Sequence, residues 1–205
     1  MHVLVPFDAR DPNTRLSSLF DDEERRELAE VLLDDVLAAI RAAGHEPVLL
    51  STETVDRDCP VHVDDRPLTA AVNSQLQSME LPVAIVMADL ALVTAESIER
   101  LAEPKADVVI APGLGGGTNA LCIRHPSFRV DYHGGSYRKH RRQARECGAN
   151  TTTVDSFRLA VDVDEPADLV EVLLHGTGAT ADWLREAGVE LDTNGGRCTV
   201  ERNSP

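Results

Sequence analysis

The chain has 205 residues, 42% of them hydrophobic, and a formal charge of −15 from 20 basic and 35 acidic residues. That length suits one substantial domain, and that charge disfavours a nucleic-acid or anionic-membrane surface, because phosphate is repelled. No apolar run approaches the roughly 20 residues of a membrane-spanning helix, and the opening residues carry no signal-peptide pattern, so a soluble, cytoplasmic protein with reduced thiols is expected. Lys105 and Lys139 are the only lysines, and the other basic residues are arginines. An acidic, lysine-poor surface points to a high-salt, halophilic source, where screening shortens to about 3 Å at 1 M and mutes self-repulsion. A GC-rich genome is the other explanation. Cys59, Cys122, Cys147 and Cys198 lie too far apart for a zinc or redox motif.

In chain order, His2 to Pro6 predicts a first strand, and the polar segment Phe7 to Ser18 a loop carrying Arg10 and Arg15. Arg15 could grip a phosphate through its planar fork or simply be solvated. Asp21 to Ala43 predicts a helix: Asp21 and Glu24 form a capping-box pattern, and Leu28, Leu32, Val36 and Ile40 fall on one stripe. Gly44 ends it and Pro47 to Ser51 is the next strand, so a right-handed parallel crossover is expected. Val61 to Val63 is a short third strand and Leu68 to Met79 a weaker helix. Pro82 to Met87 is almost wholly apolar, as in the middle of a parallel sheet. It leads to Asp89, which would stand at the crevice where open α/β sheets bind ligands. Asp89 is therefore a metal or ribose candidate, with a capping role as the bland alternative. Thr94 is placed to cap a helix over Ala95 to Ala102.

Val108 to Ala111 predicts a buried strand. Gly113 and Gly115 to Gly117 follow, then Thr118, Asn119 and a second apolar run, Ala120 to Ile123. Glycines allow close approach to the backbone, and consecutive free amides would seat an anion, with Thr118 and Asn119 adding donors. A plain hairpin connection explains the same residues. A second turn, Gly134-Gly135-Ser136, opens a helix from Tyr137 to Cys147 and offers its first amides to an anion. This helix bears the chain's dense basic run, Arg138 to Arg142 and Arg145, read as drawing anions rather than as a solvated face. Thr151 to Val154 and Leu159 to Val161 look like strands. Asp162 and Asp164 alternate along an extended chain and face one side, so with Asp89 they could hold Mg²⁺ by oxygen ligands. Asp164 could equally cap the helix Ala167 to Leu174, and Ala179 to Ala187 is a last helix. Residues 194–205 are polar and expected to fray.

The expectation is one domain over residues 1–205, a three-layer α/β fold with a mostly parallel sheet and a hairpin inserted between the glycine loop and Ser136. Five segments now matter together: Val5-Pro6-Phe7 through Thr14-Arg15-Leu16-Ser17; Asp89-Leu90-Ala91-Leu92-Val93-Thr94; Gly116-Gly117-Thr118-Asn119-Ala120-Leu121; Gly134-Gly135-Ser136-Tyr137; and Asp162-Val163-Asp164-Glu165-Pro166-Ala167-Asp168-Leu169. In this order they resemble the 2-phospho-L-lactate guanylyltransferase family of coenzyme F-420 biosynthesis, in its haloarchaeal form, over roughly residues 1 to 175.

The resemblance implies a Rossmann-like, glycosyltransferase-A-like nucleotidyltransferase fold. It implies guanylyl transfer from GTP to 2-phospho-L-lactate with release of pyrophosphate, Mg²⁺ as cofactor and a homodimer. It implies Arg15, Asp89 and Asp162 as catalytic residues, with metal at Asp89, Asp162 and Asp164. Arg10, Arg15, Gly116, Gly117, Thr118 and Asn119 would contact the nucleotide, and Thr118, Gly135 and Ser136 the phosphorylated hydroxy acid. Relatives use phosphoenolpyruvate or 3-phosphoglycerate, and molybdenum-cofactor guanylyltransferases are kin. A non-catalytic nucleotide-binding module is the alternative from another class. The sequence departs from the family where its first loop usually has lysine, here Asp8 and Asn13, and where Ala91 replaces a proline.

Overall fold

The computed structural model describes residues 1–202. The chain opens on β1 (His2–Phe7), passes through a 3-10 turn (Thr14–Leu16) into the long helix α1 (Asp22–Ala42), and returns in β2 (Glu46–Ser51). The capping box forms as the sequence predicts: the Asp21 carboxylate accepts from the Glu23 and Glu24 amides, and the Glu24 carboxylate accepts from the Asp21 amide. Then come β3 (Val61–Val63), α2 (Leu68–Leu76), β4 (Val83–Val86) and α3 (Ala95–Ala102). Thr94 caps α3 by accepting from the Ser97 amide. Next are β5 (Val108–Pro112), β6 (Thr118–Ile123), α4 (Ser136–Glu146), β7 (Thr151–Thr153), α5 (Phe157–Ala160), α6 (Asp168–His175), α7 (Ala179–Glu186), β8 (Val189–Asp192) and β9 (Thr199–Arg202).

Among the described residues, seven strands form one sheet in the order β3-β2-β1-β4-β6-β5-β7. β1 pairs in parallel with β2 and with β4, and β6 runs antiparallel to both β4 and β5. Strand order therefore reverses on the two sides of β1, and the chain leaves β1 and β4 at the same edge. That geometry opens a crevice beyond their carboxyl ends. Alternate residues feed two cores. Val3, Val5, Ala84 and Val86 face α1 and α3, whereas Leu4, Val83 and Ile85 face α2 and α4. Each fully buried Leu, Ile or Val contributes about 1.5–3 kcal/mol against exposure. A third cluster packs Leu28 and Leu32 of α1 against Leu169, Ala181 and Leu184 of α6 and α7.

Four expectations change. The segment Leu159–Val161 is not a strand: Phe157–Ala160 forms a short helix, and three apolar residues are too few to fix a period. The glycine loop is the turn of the β5–β6 hairpin, whose second strand enters the middle of the sheet, rather than a prelude to an inserted hairpin. Asp164 does not cap α6; Asp168 accepts from the Asp164 and Glu165 amides at 3.0 and 2.7 Å. Finally, Thr199–Arg202 pairs with β8 instead of fraying. Arg202 Nη1 donates to the Leu19 carbonyl at 2.6 Å and to Glu24 Oε2 at 2.8 Å, and its guanidinium stacks 5.1 Å from the Phe20 ring centroid. Residues 203–205 lie outside the described residues.

Candidate active site

Two recesses meet over the carboxyl end of β1 and share Pro6, Phe7, Asp8 and Met87. One, of about 180 Å³, reaches Asn13, Asp89 and Asp164. The other, of about 420 Å³, reaches Arg10, Thr52 and the Asp64–Arg66 turn beyond β3. The loop after β1 forms the wall between them. Asp8 Oδ1 accepts from the Arg10 amide at 3.2 Å and from Thr52 Oγ1 at 2.9 Å, which fixes the exit of the chain from β1. Arg10 then leans into the larger recess, with Nη2 3.5 Å from the Asp65 carbonyl. Asn13 takes the left-handed conformation, φ 51°, which Asn tolerates better than most residues. Its Nδ2 donates to the Val163 carbonyl at 2.8 Å. Where relatives are expected to carry lysine, this chain thus has an amide that clamps the loop to the Asp162–Asp164 segment.

The acidic wall comes from two directions. Asp89 follows β4, and its carbonyl accepts from the Val163 amide at 3.0 Å, which locks the 162–164 segment beside it. Val161 and Val163 are buried, so the alternate residues Asp162 and Asp164 both turn outward. Asp89 Oδ1 is sealed from solvent with no hydrogen-bond partner. Burial first, and then the charge of Asp162, push the Asp89 carboxyl up to about 7. Asp162 Oδ1 accepts from Asn119 Nδ2 at 3.1 Å. Asp164 is ion-paired to Arg15, with Glu165 also 3.7 Å from the same nitrogen. Burial raises the Asp164 pKa while Arg15 opposes the rise. Among the described residues no three His, Cys, Asp or Glu side chains gather into a ready-made metal cage. The expected trio is therefore loosened: Asp162 is bonded to Asn119 and Asp164 is held by Arg15, while the charges of both raise the Asp89 carboxyl, Asp162 the more strongly. A sealed, unpartnered carboxylate oxygen beside a second carboxylate suits a hard cation such as Mg²⁺.

The glycine hairpin forms the other wall, and here the sequence expectation needs correcting. Gly116 adopts φ 81°, but the amides of Gly113, Leu114 and Gly116 are already bonded, to the Gly117, Ala160 and Gly113 carbonyls. A run of free amides at Gly116 and Gly117 is therefore not available as an anion seat. Asn119 does not reach out for phosphate either. It is 5% exposed, and its Nδ2 donates inward to Ala160 O and Asp162 Oδ1. Gly113 makes room for it: a Cβ there would come within 2.5 Å of Asn119 Oδ1. Thr118 is 4% exposed, and its hydroxyl lies 3.0 Å from Nδ1 of buried His140.

The second glycine turn joins this wall. Gly134 and Gly135 both have positive φ, Ser136 is buried at the start of α4, and the Tyr137 amide lies 3.4 Å from the Gly116 carbonyl. Thr118, Gly135 and Ser136 are thus brought near one loop. The basic run is spread out rather than concentrated. Lys139 pairs with Asp131, Arg142 with Glu146, and Arg138, Arg141 and Arg145 line a separate recess with Thr151. Sequence reasoning missed the clamps made by Asn13 and Asp168, and left His140 between a structural and a substrate-contact role. For His140 a signal existed: Ser136, His140 and Ala144 recur every four residues, the buried stripe of an otherwise charged helix.

Comparison with known proteins agrees with this architecture. A family model described as guanylyl transferase CofC like matches residues 1–203. The chain is 58% identical to the 2-phospho-L-lactate guanylyltransferase of Halomicrobium mukohataei, covering 98% of this chain and 100% of the relative. It is 57% identical to that of Haloferax volcanii, covering 98% of each. Among solved structures, a protein from Desulfovibrio desulfuricans G20 provisionally assigned to the nucleotide-diphospho-sugar transferases superposes with a TM-score of 0.74 at 15% identity, covering 90% of this chain and 94% of that one. The 2-C-methyl-D-erythritol 4-phosphate cytidylyltransferase of Thermus thermophilus does so with a TM-score of 0.54 at 16% identity, covering 82% and 94%. Both likenesses concern the fold alone. No helix among the described residues is long and apolar enough to cross a membrane.

Proposed function

The chain belongs to the guanylyl transferase CofC-like family, and on that premise we propose that it joins 2-phospho-L-lactate to GTP in the biosynthesis of coenzyme F-420. A phosphate oxygen of 2-phospho-L-lactate attacks the α-phosphorus of GTP. The bond to the β-phosphate breaks, pyrophosphate leaves with the electron pair, and lactyl-2-diphospho-5′-guanosine forms. The attacking phosphate is already ionised, so the reaction needs positioning and charge neutralisation more than a general base. No proton has to be removed from the nucleophile by His or Cys.

The roles follow from the crevice. Asp89 and Asp162 would hold Mg²⁺, which when bound neutralises phosphate charge. Arg10 and Arg15, on the loop after β1, bind the triphosphate, Arg15 by leaving Asp164 for it. The larger recess beside Thr52 and Asp65 accepts the nucleoside, and Thr118 with Gly135 and Ser136 takes the phosphorylated acid. A salt-rich cytoplasm is the proposed setting, in keeping with the acidic, lysine-poor composition. The observation that supports nucleotidyl transfer over mere nucleotide binding is the sealed oxygen of Asp89 beside Asp162: two acids near a triphosphate are costly unless a cation joins them.

The test is pyrophosphate release from GTP plus 2-phospho-L-lactate at high salt with Mg²⁺. Wild-type protein should turn over, and Asp162→Ala should lose about 10²–10³-fold in kcat, the scale of losing one charge-stabilising group. Unchanged turnover in Asp162→Ala would sink the metal assignment. Absence of turnover in the wild type would sink the reaction itself.

A further inference from the structure

His140 has no exposed surface and stands between the edge-on rings of Phe128 and Tyr132, whose centroids lie 6.0 and 5.2 Å from its own. Both of its ring nitrogens are engaged. The Asp131 amide lies 2.9 Å from Nε2. A backbone amide can only donate, so Nε2 is the acceptor and the ring proton resides on Nδ1. Nδ1–H therefore donates to Thr118 Oγ1, 3.0 Å away. A hydroxyl that accepts from an imidazole keeps its own proton to give. The charged groups near the ring are the Asp131 carboxylate and the Lys139 ammonium, themselves paired at 3.0 Å. Burial outweighs the upward pull of Asp131, Lys139 adds to it, and the ring stays neutral with its pKa lowered to about 4. The imidazole is thus a fixed, uncharged donor, locked by aromatic packing and one backbone bond.

We infer that His140 is a positioning residue, which holds the Thr118 hydroxyl as a hydrogen-bond donor to the phosphate of the acceptor acid and so sets acceptor affinity without touching the substrate. The inference rests on the proposed reaction and on the Thr118 role within it. It separates His140 from the surrounding basic run, whose members act through charge.

Two near-isosteres divide its bonds. The Asn side-chain amide nitrogen can replace Nδ1 as donor to Thr118, but Asn does not reach the Asp131 amide. The Gln carboxamide reaches the Nε2 position and can accept from Asp131, but leaves Thr118 unheld. His140→Asn and His140→Gln are compared by pyrophosphate release, with GTP and 2-phospho-L-lactate varied separately, and by thermal unfolding. His140→Gln should raise the KM for 2-phospho-L-lactate about tenfold, the equivalent of one hydrogen bond of about 1.4 kcal/mol, with the GTP KM and kcat within about twofold. His140→Asn should restore the acceptor KM although it loses the Asp131 bond. In a Thr118→Val background, His140→Gln should add no further rise. An unchanged acceptor KM in His140→Gln overturns the inference on its own, even should His140→Asn fail to fold. Equal rises in both KM values overturn it too, since they mark a general structural defect. A wild-type protein that turns over GTP with another phosphorylated acid, and not with 2-phospho-L-lactate, refutes the functional reading; the same KM split then reappears with that acid if His140 positions Thr118, and its absence refutes the inference separately.

Discussion

The two walls of the crevice are built in opposite ways. The hairpin wall spends its polar groups inside the protein: Asn119 is bound to Ala160 and Asp162, Thr118 to His140, and three loop amides to carbonyls. The loop wall after β1 keeps its charges near water. The Arg15 side chain is 61% exposed and its Asp164 partner 48%. Buried, satisfied networks hold one geometry, because a freed group has nothing else to bond. Exposed ion pairs exchange partners at little cost. One wall is thus a rigid template that holds Asp162 in place, and the other is a set of charges free to change partners.

The sharpest way to break this contrast is at Asn119. Asn119→Ala removes the donor to Asp162 and leaves the Ala160 carbonyl without it, so unfolding should become easier by about 1–3 kcal/mol. In urea titrations the midpoint should fall, and kcat should fall with it. Gly113→Ala should approach the same phenotype, because its Cβ would displace the same carboxamide.

Acid should attack the rigid wall next. Burial depresses His140 to about 4 from an ordinary value near 6.5. Between those values the unfolded chain binds a proton that the folded chain refuses, so the contribution of His140 is complete above pH 6.5 and declines as pH falls toward 4. Asp89, raised to about 7, acts with the opposite sign over much of that window, so the measurement is a difference: the Tm of the wild type should fall relative to that of His140→Asn as pH drops from 6.5 toward 4. Below it a second loss follows. A hydrogen bond from Arg202 lowers Glu24 to about 2, so its contribution fades as pH drops from about 4.5 toward 2.

The smallest stability effect belongs to the loop wall. Arg15→Gln should change the unfolding free energy by less than about 1 kcal/mol, as for exposed ion pairs generally. It should nevertheless raise the GTP KM severalfold while leaving the acceptor KM alone. A large loss of stability there would show that the two walls do not differ as described.

Much of the fold was legible because its signals are local. The Asp21–Glu24 box, the Thr94 cap and the α1 stripe each lie within a few turns of chain, and each appears where the pattern puts it. The position of Asp89 was legible too, since an acid just past the buried strand β4 stands at the edge of the sheet. What was not legible depends on distant partners. Asn119 looks like a ligand donor until Asp162, 43 residues on, claims it. Nothing near Arg202 announces a bond to Glu24, 178 residues earlier. Residues 157–161 failed for another reason: an apolar run that short fits a helical turn as well as a strand.

That long-range bond has a consequence for the loop before α1. Arg202 of β9 ties the Leu19 carbonyl to Glu24, the residue that also closes the cap of α1. The turn that carries Arg15 sits immediately before those anchors. The β8–β9 hairpin, though far from the crevice in sequence, thus fastens the base of the loop on which Arg15 stands.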